Sequence, residues 1–319
     1  MVILLAAGLL AGCSHDDEPT LEHEIVVRSG VSGLQKRVRS ILNSDSLQAK
    51  DIKIDAYYVD TETKFLDGKK LHYDAGHDPS PAWVFWDGTA QEHYYWPFEG
   101  SKTSTGGVAS TLDFVGFCPY DKPAYIGEPS YDHTTGVTFT CDISSYLTNV
   151  AQRTMQEYVI AVENDQTYAI QEAEGGALPM VFKHPLALVK FVIAPASGTN
   201  VTIDSIAIAG LHTSGTCAYD GTTMSWSDYS GSETMTLQGL SLQVGTAKTE
   251  SDSLMVIPDN YGAKTLSVRG SWTEWSEVEN HTVSADVDFS WQPGYLYVYR
   301  LTVSKYALKV DVDKYTEQW

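Results

Sequence analysis

The sequence predicts an all-β protein made of packed sandwich sheets, on three observations. Apolar and polar residues alternate at period two along most of the chain, turn-forming residues separate the alternating runs, and helical periodicity is scarce. Successive side chains of a strand point to opposite faces, so each such run marks a segment with one buried face.

The runs follow in chain order. A first short strand, "EIVVR", offers Ile25 and Val27 to one side. "DIKIDAYYV" places Ile52, Ile54, Ala56 and Tyr58 on one face, and "TLDFVGFCPY" does the same with Leu112, Phe114, Gly116 and Cys118. "LALVKFVIAP" sets Val189, Phe191 and Ile193 opposite Leu188, Lys190 and Val192. "YLYVYRLTV" stacks Tyr295, Tyr297, Tyr299, Leu301 and Val303. The closing "ALKVDVDKYTEQW" alternates Leu308, Val310 and Val312 with Lys309, Asp311 and Asp313. "DPSP", "SGT", "PDNYG" and "QPG" supply the turns. "DISSYLTNVAQRTMQ" is the best helix candidate, and "SDSLQA" suits a single turn. The polar, Gly-rich "EAEGGALP" at residues 172–179 marks a boundary between two halves. No solenoid or propeller period is present.

With 319 residues the chain is long enough for two domains at about 100–200 residues each. Its 41 Asp and Glu against 21 Lys and Arg give a formal charge of −20. Such a surface repels phosphate backbones and argues against a nucleic-acid partner.

The apolar run at the start ends by Cys13, well short of the ~20 residues that span a bilayer. Its length matches the apolar region of a secretion signal. No Lys or Arg stands before Arg28, which raises the expectation that the start lies inside a longer signal. "LLAGC" resembles a bacterial lipobox, with residues 1–12 removed and Cys13 acylated. Acyl chains anchor at about 0.8 kcal/mol per buried CH₂. Residues 13–21, with the acidic "SHDDEPT", then form a tether. Three thiols remain, Cys118, Cys141 and Cys217, and an odd number cannot all pair within one chain. Cys118 and Cys141 either pair in an oxidising compartment or, as we read them, sit in the core.

No HExxH, GxSxG, P-loop or GxGxxG motif is present, and no catalytic group, cofactor or metal site is expected. "DVDKY" lacks the Gly and closing Glu of a calcium loop. His184 and His212 suit strand ends better than metal ligation. Eight Trp and 19 Tyr could stack on sugars, but most fall within strand patterns where core packing is the default. Three of the six arginines, Arg28, Arg37 and Arg39, cluster in "EIVVRSGVSGLQKRVRS". They form either a basic loop on an acidic protein or a processing site for an Arg-specific protease.

Taken in order, these pieces resemble the fimbrillin family, the type V pilins and fimbrillin-like lipoproteins of Bacteroidales. The lipobox is followed by "EIVVR", the Arg-bearing "KRVRS", the aromatic "AWVFWDGTAQEHYYWPFEG" and "LDFVGFCPY". "LPMVFKHPLALVKFVIAP", "SIAIAGLHTSGT", "LMVIPDN", "WQPGYLYVYRLTV" and "DVDKYTEQW" complete the order. The acidic tract behind Cys13 resembles the surface-export signal of the same phylum. The resemblance implies two transthyretin-like β-sandwich domains, here residues 22–178 and 179–319. It also implies an outer-membrane, cell-surface protein that assembles with other fimbrial subunits by strand exchange and serves adhesion to a host glycan or protein receptor. In that scheme a protease cuts at Arg37 or Arg39; a cut at Arg28 would fall inside the strand. The strand carrying Ile25 and Val27 leaves, and a C-terminal strand such as that of Leu308, Val310 and Val312 takes its place. The competing readings are a lipid-anchored carbohydrate-binding adhesin that does not polymerise and a β-sandwich glycan hydrolase with paired carboxylates.

Overall fold

The computed structural model describes residues 23–31, 44–78, 82–99, 108–148, 155–196, 200–244, 248–274 and 277–318. Cys13, Arg37 and Arg39 lie outside them, as does the side chain of Val312. The chain is all-β, as its alternation requires.

The elements up to residue 182 are β1 (Val27–Val31), α1 (Ser44–Leu47), β2 (Ile52–Tyr58), β3 (Lys64–Asp74) and β4 (Ala82–Trp86). Next come the short β5 (Gln91–Glu92), β6 (Phe98–Glu99) and β7 (Val108–Ala109), then β8 (Leu112–Cys118), β9 (Ser130–Asp132) and β10 (Gly136–Asp142). α2 (Ser144–Thr148), β11 (Val159–Gln166), α3 (Tyr168–Ala173) and β12 (Leu178–Phe182) follow. The remainder comprises β13 (Ala187–Pro195), β14 (Asn200–Leu211), β15 (Ser214–Tyr219), β16 (Met224–Ser230), β17 (Glu233–Val244) and β18 (Thr249–Glu250). β19 (Leu254–Val256), β20 (Asn260–Glu274), β21 (Glu277–Ser290), β22 (Tyr295–Val303) and β23 (Leu308–Gln318) end the chain.

The first sheet runs β11-β8-β2-β3-β4-β1-β12, with β5 beside β4. It curls until its ends meet: Ile160 and Lys183 exchange two backbone hydrogen bonds of 3.0 and 2.8 Å, tying β11 to the end of β12. Every residue of β8 is buried, because both of its faces are covered. Leu112, Phe114 and Cys118 enter a core enclosed by the first sheet, with Ile52, Ile54 and Ala56 of β2. Val115 and Phe117 point the other way, into a second core shared with the rest of the molecule. β11 is sorted likewise, Val159 and Ala161 against Ile160 and Val162. Period two thus distributes one strand's apolar residues between two cores.

Gly116 is where this sheet is tightest. A Cβ there would lie 2.8 Å from Phe182 Cζ and 2.9 Å from Met180 Cε. Its absence lets β12's side chains close onto β8.

A second sheet has the order β16-β15-β10-β9. A third runs β18-β13-β22-β23 with β19 beside β13, and a fourth β17-β14-β20-β21. The third and fourth sheets share the second core, where Phe289 of β21 meets Tyr299 of β22 with ring centroids 5.1 Å apart. The Trp291 indole N–H donates to Tyr299 Oη at 2.8 Å. Tyr297, Tyr299, Leu301 and Val303 are all buried, as the alternation of β22 requires. Among the described residues β23 is an edge strand, paired with β22, and its Leu308 and Val310 are half-buried. A cavity of about 450 Å³ lies beside Val310, Tyr297 and Tyr299.

Three details differ from the sequence reading. Among the described residues the long helix candidate is only the five-residue α2. The first strand is Val27–Val31 rather than residues 24–28. The polar stretch near residue 172 begins inside a helix, α3, capped by the Thr167 hydroxyl, which accepts from Ile170 N–H at 3.3 Å. The expected division between residues 178 and 179 falls within β12, and the pairing of β10 with β15 crosses it. Cys118, Cys141 and Cys217 are free and buried, and burial pushes the Cys118 thiol up to about 12.

Candidate functional site

The N-terminal segment is held inside the first sheet, between β4 and β12, elements that come long after it. β1 pairs in parallel with β12, Val27 to Val31 against Leu178 to Phe182. On its other side it pairs with β4, among the described residues through Val27 and Trp83. The lead-in is held by a bridge between Glu24 and Tyr95. There Ile25 N–H donates to Tyr94 O at 2.7 Å and Trp96 N–H to His23 O at 2.8 Å.

Inward residues fall at every second position. Ile25 and Val27 are 2% and 4% exposed and belong to the core of the first sheet, against which Val31 also packs. Burying each is worth roughly 1.5–3 kcal/mol. Between them and Val31 sits Ser29, whose hydroxyl is buried without a hydrogen-bond partner. On the outer face Val26 and Arg28 are exposed.

A residue that the sequence reading did not find completes the segment's hold. Gln171 of α3 is 2% exposed. Its Oε1 accepts from Val26 N–H at 3.1 Å and from the Trp96 indole N–H at 3.0 Å. Its Nε2 donates to Glu24 O at 2.9 Å. Two donors meet one end of the amide and a carbonyl meets the other, which fixes its orientation. The available sequence signal was the helix itself: Thr167 at the N-cap position, then helix formers, then Gly175 and Gly176, both at positive φ.

A second polar cluster was also invisible in the sequence. Asp113 is fully buried and accepts from Tyr131 Oη at 2.6 Å and Asp165 N–H at 2.7 Å. His133 Nδ1 lies 2.7 Å from its Oδ2, and this bond raises the His133 pKa. Ligand-type atoms of Asp113, His133 and Asp165 lie within 4.8 Å of one another. Both oxygens of Asp113 are already engaged by protein groups, which is the arrangement of a satisfied buried carboxylate. His184 and His212 sit at strand ends, and His212 stacks on Tyr229 at 4.9 Å and contacts Asp259 at 3.2 Å.

Of the residues singled out from sequence, Ile25, Val27 and Arg28 share one strand segment, while Leu308 and Val310 lie on β23 in another sheet. The geometry defines an all-β protein whose first sheet is completed by its own N-terminal segment. The chain belongs to the fimbrillin-like family, whose pattern matches residues 48–319. Its fold is similar to the crystal structure of a fimbrial protein from Bacteroides vulgatus ATCC 8482, with a TM-score of 0.62 at 13% identity over 92% of this chain and 99% of that one. It is also similar to a candidate cell adhesion protein from Bacteroides uniformis ATCC 8492, with a TM-score of 0.52 at 16% identity over 92% and 100% of the two chains. A third, a candidate cell adhesion protein from Parabacteroides distasonis ATCC 8503, gives 0.50 at 13% identity over 92% and 96%. No curated protein sequence matches the chain.

Proposed function

We propose that this protein is a structural subunit of a type V fimbria, at the shaft, anchor or tip, that serves adhesion at the cell surface. Membership of the fimbrillin-like family supports a fimbrial role and a non-enzymatic one. The finer steps are our reading of the residues. Cys13 carries the lipid that holds the precursor at the outer membrane. Residues 22–178 and 179–319 correspond to its two transthyretin-like domains, with β12 and the pairing of β10 with β15 spanning the division. An Arg-specific protease cuts at Arg37 or Arg39, in the stretch between β1 and α1. β1 then leaves, and a C-terminal strand bearing Leu308, Val310 and Val312 from another subunit takes its place.

One observation carries this reading: β1 sits between β4 and β12 with Ile25 and Val27 sealed in the core. Removing such a strand leaves two rows of unpaired backbone groups and empty apolar pockets, a surface that recruits another strand. β23 has the matching alternation and sits at a sheet edge beside a cavity.

The test is limited digestion of the delipidated precursor with an Arg-specific protease, followed by intact mass and size-exclusion analysis. The expected result is one cut at Arg37 or Arg39, loss of the N-terminal strand and growth of SDS-resistant oligomers. A protein that resists the protease and stays monomeric would overturn the polymerising reading and leave an anchor, a tip or a non-polymerising adhesin.

A further inference from the structure

We propose that Gln171 is the residue by which the groove reads the main chain of whatever strand occupies it. The proposal deepens the strand-exchange reading above and rests on it for the identity of the second occupant, a C-terminal strand of another copy of this chain.

The ladder between β12 and the N-terminal segment reaches Leu178, whose N–H donates to Val26 O at 2.7 Å. The next ladder position back would have to satisfy Val26 N–H and Glu24 O. No strand residue is there, because α3 and the turn at Gly175 and Gly176 carry the chain away. The Gln171 amide fills that position. It accepts from Val26 N–H and donates to Glu24 O, the pairing that a strand neighbour's peptide group would provide. Ile25, between them, directs its own N–H to Tyr94 on the opposite side, as a strand residue must.

Among the described residues, the hydrogen bonds of Gln171 to the occupant therefore go to main-chain atoms. Any extended segment with a free N–H and C=O two residues apart satisfies it, whatever its side chains. A proline at the Val26 position fails, having no N–H to give. The apolar pockets under Ile25 and Val27 select by side chain; Gln171 selects by backbone conformation. This division suits a groove that must accept two different sequences in turn. "ALKVDVD" contains no proline, so each of its residues can present an N–H to Gln171. Trp96, bonded to the same Oε1, fixes the amide in place when the strand changes.

The first readout uses the uncut full chain. Amide exchange is followed residue by residue in wild type, Gln171→Met, which has neither donor nor acceptor, and Gln171→Glu, which keeps the acceptor. Val26 N–H should exchange about tenfold faster or more in Gln171→Met, with the β8 amides unchanged and Val26 still protected in Gln171→Glu. Protection at Val26 unchanged in Gln171→Met, or lost equally in both variants, would overturn the proposal. The second readout uses chain cut by the Arg-specific protease and a synthetic peptide copying residues 307–316. Methylating the peptide nitrogens one at a time should reveal one position that weakens binding by about tenfold in wild type and not in Gln171→Met. Equal loss in both proteins would overturn the role of Gln171. If the cut wild-type chain takes up no peptide, the strand-exchange reading fails, while the hold on Val26 is still decided by the first readout.

Discussion

Ser29 is the misfit among the inward residues of β1. Ile25 and Val27 fill apolar pockets, whereas the Ser29 hydroxyl is buried with nothing to bond. An orphaned buried hydroxyl costs about 1–3 kcal/mol, so the segment is held less firmly than its apolar neighbours alone would hold it. Replacing Ser29 by Ala removes the orphan without adding bulk. We expect Ser29→Ala to stabilise the uncut chain by about 1 kcal/mol, a rise of roughly 1–2 °C in Tm by calorimetry for a chain of this size. An unchanged or lower Tm would mean that the hydroxyl is satisfied. The inward roles of Ile25 and Val27 were legible from alternation alone. Gln171 was not, because its partners lie 75, 145 and 147 residues away and nothing local distinguishes it from a surface glutamine. The same holds for Asp113, buried through bonds to residues 18, 20 and 52 positions distant.

At the scale of elements, the alternating runs around Ile52, Leu112, Val189 and Tyr295 all became strands, since period two and one buried face require each other. What the pattern did not disclose was that β8 serves two cores at once. A strand buried on both faces reads as a continuous apolar run, and "LDFVGFC" is interrupted only by Asp113 and Gly116. Gly116 passed in sequence for an ordinary member of one face. In the folded sheet it gives way to Phe182 and Met180 of β12. β12 is the strand against which β1 lies, so crowding at Gly116 should be felt in β1. Gly116→Val is expected to destabilise the chain by about 1–3 kcal/mol in urea unfolding and to hasten proteolytic loss of the segment before residue 32. If stability falls but that segment remains as resistant as in wild type, the strain does not reach β12. α3 escaped notice because six residues are too few to show a helical period; only its Thr cap and following glycines marked it.

The whole molecule combines what local pattern cannot: β1 pairs with a strand some 150 positions later, and β10 pairs with β15 across the boundary expected from composition. Composition marks where a chain turns polar, but strand partners are chosen by side-chain fit over the full length, so long-range pairing was the least legible feature. That pairing also supplies a way to separate cleavage from strand departure. Ser29 and Met180 are register partners in neighbouring parallel strands. Adjacent strands lie about 4.7–4.9 Å apart, within the Cα range a disulfide tolerates. In a Cys13→Ser chain carrying Ser29→Cys and Met180→Cys, oxidation should pin β1 to β12. Cys118, Cys141 and Cys217 are buried and should stay reduced. The oxidised protein is expected to be cut at Arg37 or Arg39 like the unpinned one, to retain its N-terminal fragment on denaturing gels without reductant, and to remain monomeric in size exclusion. Adding reductant should free the fragment and start polymer growth. Growth in the oxidised state at the reduced rate would show that assembly proceeds with β1 in place, and the groove would then have to be a structural feature of the sheet and not the site of exchange.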